Sequence, residues 1–243
     1  MILSIDTSAA VAAALLDDDG AALAAASVPE QRRHAELLAP MISGLLDEVG
    51  ARPTDVTTVV AGTGPAPFTG LRVGLVTART FGLARGVPVL GVASLDAIAA
   101  DAVPALGLGV GDRVLATSDA RRKQVYWARY SVTATASTGA TAGVARLERT
   151  DGYDVGPATD LAGPGGLAEG AAVVGQGTVL YPDALGASDG APLVPDPVTL
   201  ARLALDRRAA GEELGTEPLY LRRPDVQVPA PRKRAVAPAE ASR

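Results

Sequence analysis

The chain opens with short, nearly continuous apolar runs. Residues 1–5, 11–16 and 21–28 read as strands, and Asp17-Asp18-Asp19-Gly20 supplies turn chemistry between the last two. A helical period follows over residues 34–49, closed by Gly50 as a C-terminal cap. Residues 56–61 are a β-branched strand, and the loop GTGPAPFTG leads into a second helix over 71–85 that stops at Gly86. A short strand over 88–92 precedes a helix from Ser94, its N-cap, through Val103. Residues 104–111 are rich in Pro and Gly and read as a linker. The pattern then restarts, with strands over 114–118 and 125–132 around the polar turn DARRKQ. A loop covers 133–143, a weaker strand 144–149, a clearer one 171–175, and a helix 198–210. Strands alternating with helices, twice over, predict an α/β layer architecture with two related lobes, 1–109 and 110–224. Residues 225–243 read as a disordered basic tail.

Composition narrows the function. With 243 residues, 48% hydrophobic and 3% aromatic, the chain can bury a large core built of Ala, Val and Leu. It has no cysteine, which excludes disulfides and thiolate metal sites and points to a reducing, cytoplasmic setting. The N-terminus has neither the basic region nor the cleavage pattern of a signal peptide, and no apolar run suits a membrane span. A net charge of -5 disfavours a free-standing nucleic-acid binder. The basic residues worth naming are Arg222, Arg223, Arg232, Lys233 and Arg234.

Candidate chemistry is sparse. The loop over residues 62–74 invites a phosphate-cradle reading, but Pro65 and Pro67 remove amide donors and no Lys-Ser/Thr pair follows the glycines. Asp6-Thr7-Ser8 ends the first strand, where actin-like ATPases and sugar kinases handle metal and phosphate. The same residue types also simply close turns. A second phosphate loop would fall at Asp119-Ala120-Arg121-Arg122, which lacks a glycine pair, and Gly175-x-Gly177 is a weak nucleoside signal. Asp6, Thr7, Ser8, Asp119, Gly175 and Gly177 are thus candidates for a vestigial nucleotide site. His34 is the only histidine, so a three-ligand metal site or a Ser-His-Asp triad has little to draw on.

The two N-terminal helices carry more. Apolar residues in the first cover a wider arc than one buried face requires. The second places small residues at Gly70, Gly74, Ala78 and Gly82, and each interior Gly costs roughly 1 kcal/mol relative to Ala. Another backbone therefore approaches this stripe closely. The chain's own sheet accounts for part of the apolar area, and the excess points to a second chain.

Five blocks in order, IDTS, GTGPAPFTGLRVG, ARGVPVLGVASLDA, DARRKQVYWARY and EPLYLRRPDV, resemble the TsaB (YeaZ) family from Met1 to about Asp225. The resemblance implies an actin-like ATPase (ASKHA, ribonuclease H-like) fold of two related lobes. It also implies a non-catalytic, cytoplasmic subunit without a cofactor or metal, partnering the catalytic paralogue TsaD and the ATPase TsaE in tRNA threonylcarbamoyladenosine formation. tRNA would be met only indirectly, and self-pairing could replace TsaD in its absence. TsaD builds its metal site on a His-x-x-x-His helix, and Ser94 and Ile98 stand at the matching places here. Carried over, the partner-binding residues are Leu37, Leu38, Met41, Leu45, Gly70, Leu71, Gly74, Leu75, Ala78 and Arg79. The family loop G-P-G-S-F-T-G is altered here by Ala66 and Pro67. Two rival readings are a small-molecule kinase of the actin-like superfamily and a glycoprotease-type peptidase.

Overall fold

A computed structural model describes residues 1–29, 33–135, 143–186 and 188–222. Strands β1 (Ile2–Asp6), β2 (Val11–Leu16) and β3 (Ala22–Val28) form an antiparallel meander. Helix α1 (His34–Glu48) then crosses over to β4 (Thr58–Gly62), which lies parallel to β1. Helix α2 (Phe68–Arg85) leads to β5 (Val89–Val92), parallel to β4, and the sheet order is β3-β2-β1-β4-β5.

β1 and β2 are buried on both faces, which is why they read as unbroken apolar runs rather than alternating ones. Leu3, Ile5, Val11, Ala13 and Leu15 meet α1 and α2 on one side. Ile2, Ala14, Leu16 and Val60 line the other. The period of two thus sorts residues between two separate cores.

The second lobe repeats the order. β6 (Arg113–Asp119), β7 (Gln124–Ala134) and β8 (Arg146–Pro157) form a meander, and β9 (Ala172–Gly175) adds parallel to β6, giving β8-β7-β6-β9. The short helices α4 (Ala158–Leu161), α5 (Gln176–Leu180) and α6 (Pro182–Leu185) flank this lobe. The fold is the actin-like ATPase fold.

Two helices depart from the expected lobe boundaries. Helix α3 (Ser94–Ala105) follows the first sheet in sequence but sets Leu95, Ile98, Ala99 and Ala102 against Val114, Ala116 and Tyr126 of the second. Helix α7 (Pro197–Ala209) follows the second sheet, yet Leu200, Ala201, Leu203 and Ala204 pack on Ile2, Leu16 and Val60 of the first. Each lobe is completed by a helix from the other's sequence, so a cut at residue 109 divides neither cleanly. α3 is buried all round from Ser94 to Ala100, as a helix between two sheets must be.

Other differences are local. The helix expected at 71 starts at Phe68, and Ala93, not Ser94, caps α3. α3 runs through Pro104, which shortens the expected linker. β8 extends to Pro157 because its polar, glycine-containing half is held by pairing to β7 rather than by apolar periodicity. After α7, residues 212–222 form an extended strap across the first lobe. Gly91 donates to Leu214 O at 3.0 Å and Leu219 to Thr63 O at 2.9 Å. The expected tail, 225–243, lies outside the described residues. Arg222, grouped with it by charge, is seated against the second lobe, donating to Ala120 O at 2.9 Å and to Gln124 Oε1.

Candidate functional site

Thr7 closes β1 and locks α2 onto it. Its hydroxyl donates to Gly70 O at 2.8 Å and accepts from Gly74 N at 3.0 Å. A Cβ at Gly70 would stand 2.8 Å from Thr7 O and 3.0 Å from His34 Nε2, and one at Gly74 would overlap Thr7 Oγ1. One at Gly82 would overlap Val89 and stand 3.1 Å from Val87 O. Ala78 is fully buried. The small-residue stripe therefore faces the chain's own sheet, and its close approach is consumed within the lobe.

Within the chain itself, the contact residues expected from sequence are placed unequally. Leu38, Leu45, Gly70, Leu71, Gly74, Leu75 and Ala78 are all buried in the chain's own core. Leu37 and Met41 are partly buried against that core. Arg79 is exposed but engaged, donating to Thr216 Oγ1 at 2.9 Å and to Thr216 O at 2.7 Å on the strap. The outward face of α2 instead carries Thr69, Arg72, Val76, Thr80 and Leu83, with Val76 61% and Leu83 86% exposed. On α1 the exposed positions include the small residues Ala39, Pro40, Ser43 and Gly44. The strap borders the α2 face, with Tyr220 4.9 Å from Phe68 between ring centroids and its hydroxyl accepting from Arg72 Nε at 2.9 Å.

Between the lobes lies a cleft of about 180 Å³, lined by Ser8, His34, Pro67 and Gly70 from one side and Asp119, Arg121 and Gln176 from the other. Asp6 does not face it. The residue is 1% exposed, with Oδ1 accepting from Ser8 N at 2.8 Å and Ser8 Oγ at 2.6 Å, and Oδ2 accepting from Ser94 Oγ at 2.6 Å. Burial pushes this carboxyl above the ordinary range, against the hydrogen bonds from Ser8 and Ser94 that pull it down. A group so enclosed is ill-placed to organise a solvated metal–phosphate.

Asp119 turns back on its own hairpin, with Oδ1 accepting from Arg121 N at 2.7 Å and Oδ2 3.1 Å from Arg121 Nη1. Gly175 has φ +91° and its missing Cβ would overlap Thr117 O, while Gly177 packs as closely on the Thr117 side chain. Both glycines are explained by packing against β6. The sequence candidates for a nucleotide thus divide: Ser8 and Asp119 line the cleft, Asp6 and Thr7 lock β1 to its surroundings, and Gly175 and Gly177 serve the second sheet.

The metal-helix positions are clear. Ser94 is taken up by Asp6, and Ile98 is fully buried among apolar side chains and has no donor atom. A divalent metal does not fit this pair. Among the described residues, no group of three or more His, Cys, Asp or Glu is placed to hold one. Between them in sequence, Asp96 gathers Tyr130 at 2.7 Å, Tyr153 at 2.6 Å and Arg207 at 2.7 Å, binding α3 to β7, β8 and α7. Sequence reading missed this cluster, whose members lie 34, 57 and over a hundred residues from Asp96.

The family model described as "TsaD: tRNA N6-adenosine threonylcarbamoyltransferase" matches residues 27–188. The structure of YeaZ from Pseudomonas aeruginosa is similar at TM-score 0.68 and 31% identity, covering 90% of this chain and 99% of that one. The chain belongs to the TsaB (YeaZ) family. A second Pseudomonas aeruginosa structure, described as an uncharacterized protein with similarity to peptidase YEAZ, gives TM-score 0.72 at 32% identity, covering 91% and 99%. The Escherichia coli protein named as tRNA threonylcarbamoyladenosine biosynthesis protein TsaB is 37% identical over 99 residues, 41% of this chain and 42% of that protein. The chain spans about half the length of the curated relatives it matches. Among the described residues no helix is long and apolar enough to cross a membrane.

Proposed function

We propose that this chain is a non-catalytic, cytoplasmic subunit that docks the catalytic paralogue TsaD and, with the ATPase TsaE, supports formation of N6-threonylcarbamoyladenosine in tRNA. The observation that carries this reading is the outward face of α2, where Val76 and Leu83 stand 61% and 86% exposed beside the small-residue surface of α1. Large apolar side chains on a helix already packed on its other face call for a partner. Small residues on the neighbouring helix let another backbone come close. The enclosed Asp6 and the apolar Ile98 support a supporting rather than a chemical role. Without TsaD, the same face would serve self-pairing.

The test is co-purification with the cognate TsaD, comparing the native chain with Val76→Asp/Leu83→Asp. Burying a Val or Leu side chain is worth about 1.5–3 kcal/mol when complete. Losing both, at their present exposure, should weaken the complex by roughly 3 kcal/mol, on the order of 100-fold. The melting temperature should stay near that of the native chain, because neither residue belongs to the core. Undiminished capture of TsaD would refute this docking face.

A further inference from the structure

The β6–β7 hairpin tip breaks a local rule. Arg121, Arg122 and Lys123 all have left-handed backbone, with φ of +61°, +54° and +60°. Three consecutive L-residues with long side chains are held where Gly or Asn would sit with less strain. The turn is locked by Asp119 on Arg121 N, by Ala120 N on Gln124 O at 3.1 Å and by Gln124 N on Arg121 O at 3.1 Å. All three basic side chains are exposed. A fourth cation, Arg222, is brought to the same hairpin from the far end of the chain. The strain is kept at an exposed tip where Arg121 is paired to Asp119 at 3.1 Å and Arg122 and Lys123 line the adjoining groove, so the turn serves to place these side chains.

What lies beside the tip suggests the ligand. A groove of about 400 Å³ is lined by Arg122, Lys123 and Gln124 on one wall and by Pro157, Thr159 and Tyr181 on the other. Tyr181 is partly exposed, whereas the nearby acids Asp160 and Asp183 are not among the lining residues. Cations beside an apolar slot with an aromatic ring suit a phosphodiester chain carrying a planar base. An acidic peptide would use the cations but leave the slot empty.

We propose that this hairpin and groove bind a single-stranded segment of RNA directly, its phosphates on Arg122 and Lys123 and one base against Tyr181. The choice of tRNA rests on the proposed place in tRNA modification, but not on the α2 docking face. The site concentrates positive charge on a chain whose net charge is -5.

The test is fluorescence anisotropy of a labelled unmodified tRNA transcript with the full chain, titrated between 50 and 200 mM salt. Arg122→Asn/Lys123→Asn keeps residues that tolerate the left-handed turn. It should raise Kd about 10-fold or more and lower the salt slope by roughly 1.5, the loss of two phosphate contacts. Its melting temperature should not fall. Tyr181→Leu should weaken binding about 10-fold with the salt slope unchanged. Both variants should still capture TsaD as the native chain does, which separates this site from the docking face. Unaltered affinity and slope in the double variant would overturn the proposal. So would full tRNA affinity in Tyr181→Leu, which removes the base contact, or displacement of tRNA by poly-glutamate at equal charge, which replaces RNA with an acidic protein surface.

Discussion

Asp101 gives the sharpest test of how the lobes are held together. It lies on α3 where that helix meets α7, with Oδ1 accepting from Thr199 Oγ1 at 2.5 Å and Oδ2 buried without a hydrogen bond. Burial pushes its carboxyl from 3.8 up to about 7. The Thr199 hydroxyl opposes that rise, the Asp196 carboxylate adds to it by repulsion, and the Asp196 backbone amide and the Arg202 charge oppose it. Between those two values the folded chain holds a proton that the unfolded chain has released, so stability falls as pH rises. The contribution is complete below pH 3.8 and is lost by the time pH passes about 7. At roughly 1.4 kcal/mol per pH unit the whole span is worth about 4 kcal/mol, of which about 2–3 kcal/mol falls between pH 5 and pH 7. Asp101→Asn removes the titration. Its amide leaves one buried donor poorly satisfied, a cost of about 1–3 kcal/mol that does not change with pH. Urea denaturation of both proteins at pH 5, 6, 7 and 8 isolates the effect, since every other titrating group cancels in the difference. The variant should gain on the native chain between pH 5 and pH 7, by roughly 2–3 kcal/mol in total, and level off towards pH 8. A difference that stays flat from pH 5 to pH 8 would refute the burial argument.

Two further substitutions probe the first lobe. Ala78→Arg would place a guanidinium in a fully buried core position, and should lose more than about 4 kcal/mol and fold poorly by circular dichroism. A well-folded Ala78→Arg with its melting temperature intact would contradict the packing of α2. Thr7→Val removes the hydroxyl bridging Gly70 O and Gly74 N, and should lower unfolding free energy by about 1–3 kcal/mol. A loss too small to measure in urea would mean that the bridge does not hold α2 to β1.

The sequence by itself determined most of the secondary structure and the repeated lobe plan. Unbroken apolar runs at β1 and β2 marked strands, and α2 ends at Gly86, where the sequence stopped it, with that glycine at φ +66°. It also marked the glycine stripe as a close backbone approach. Which surface makes that approach was not legible, because four-residue spacing is the same whether the neighbour is β1 or another chain. Only the tertiary structure turned Gly70, Gly74 and Ala78 inward and left Val76 and Leu83 outward. The exchange of α3 and α7 between lobes was hidden for a related reason: sequence order carries no information about which sheet a helix covers. The sequence left Asp6 open between a phosphate-site carboxylate and a turn-closing residue, and only the fold brought Ser94 to it from 88 residues away. Local pattern reports what each segment must bury, and long-range packing decides against what.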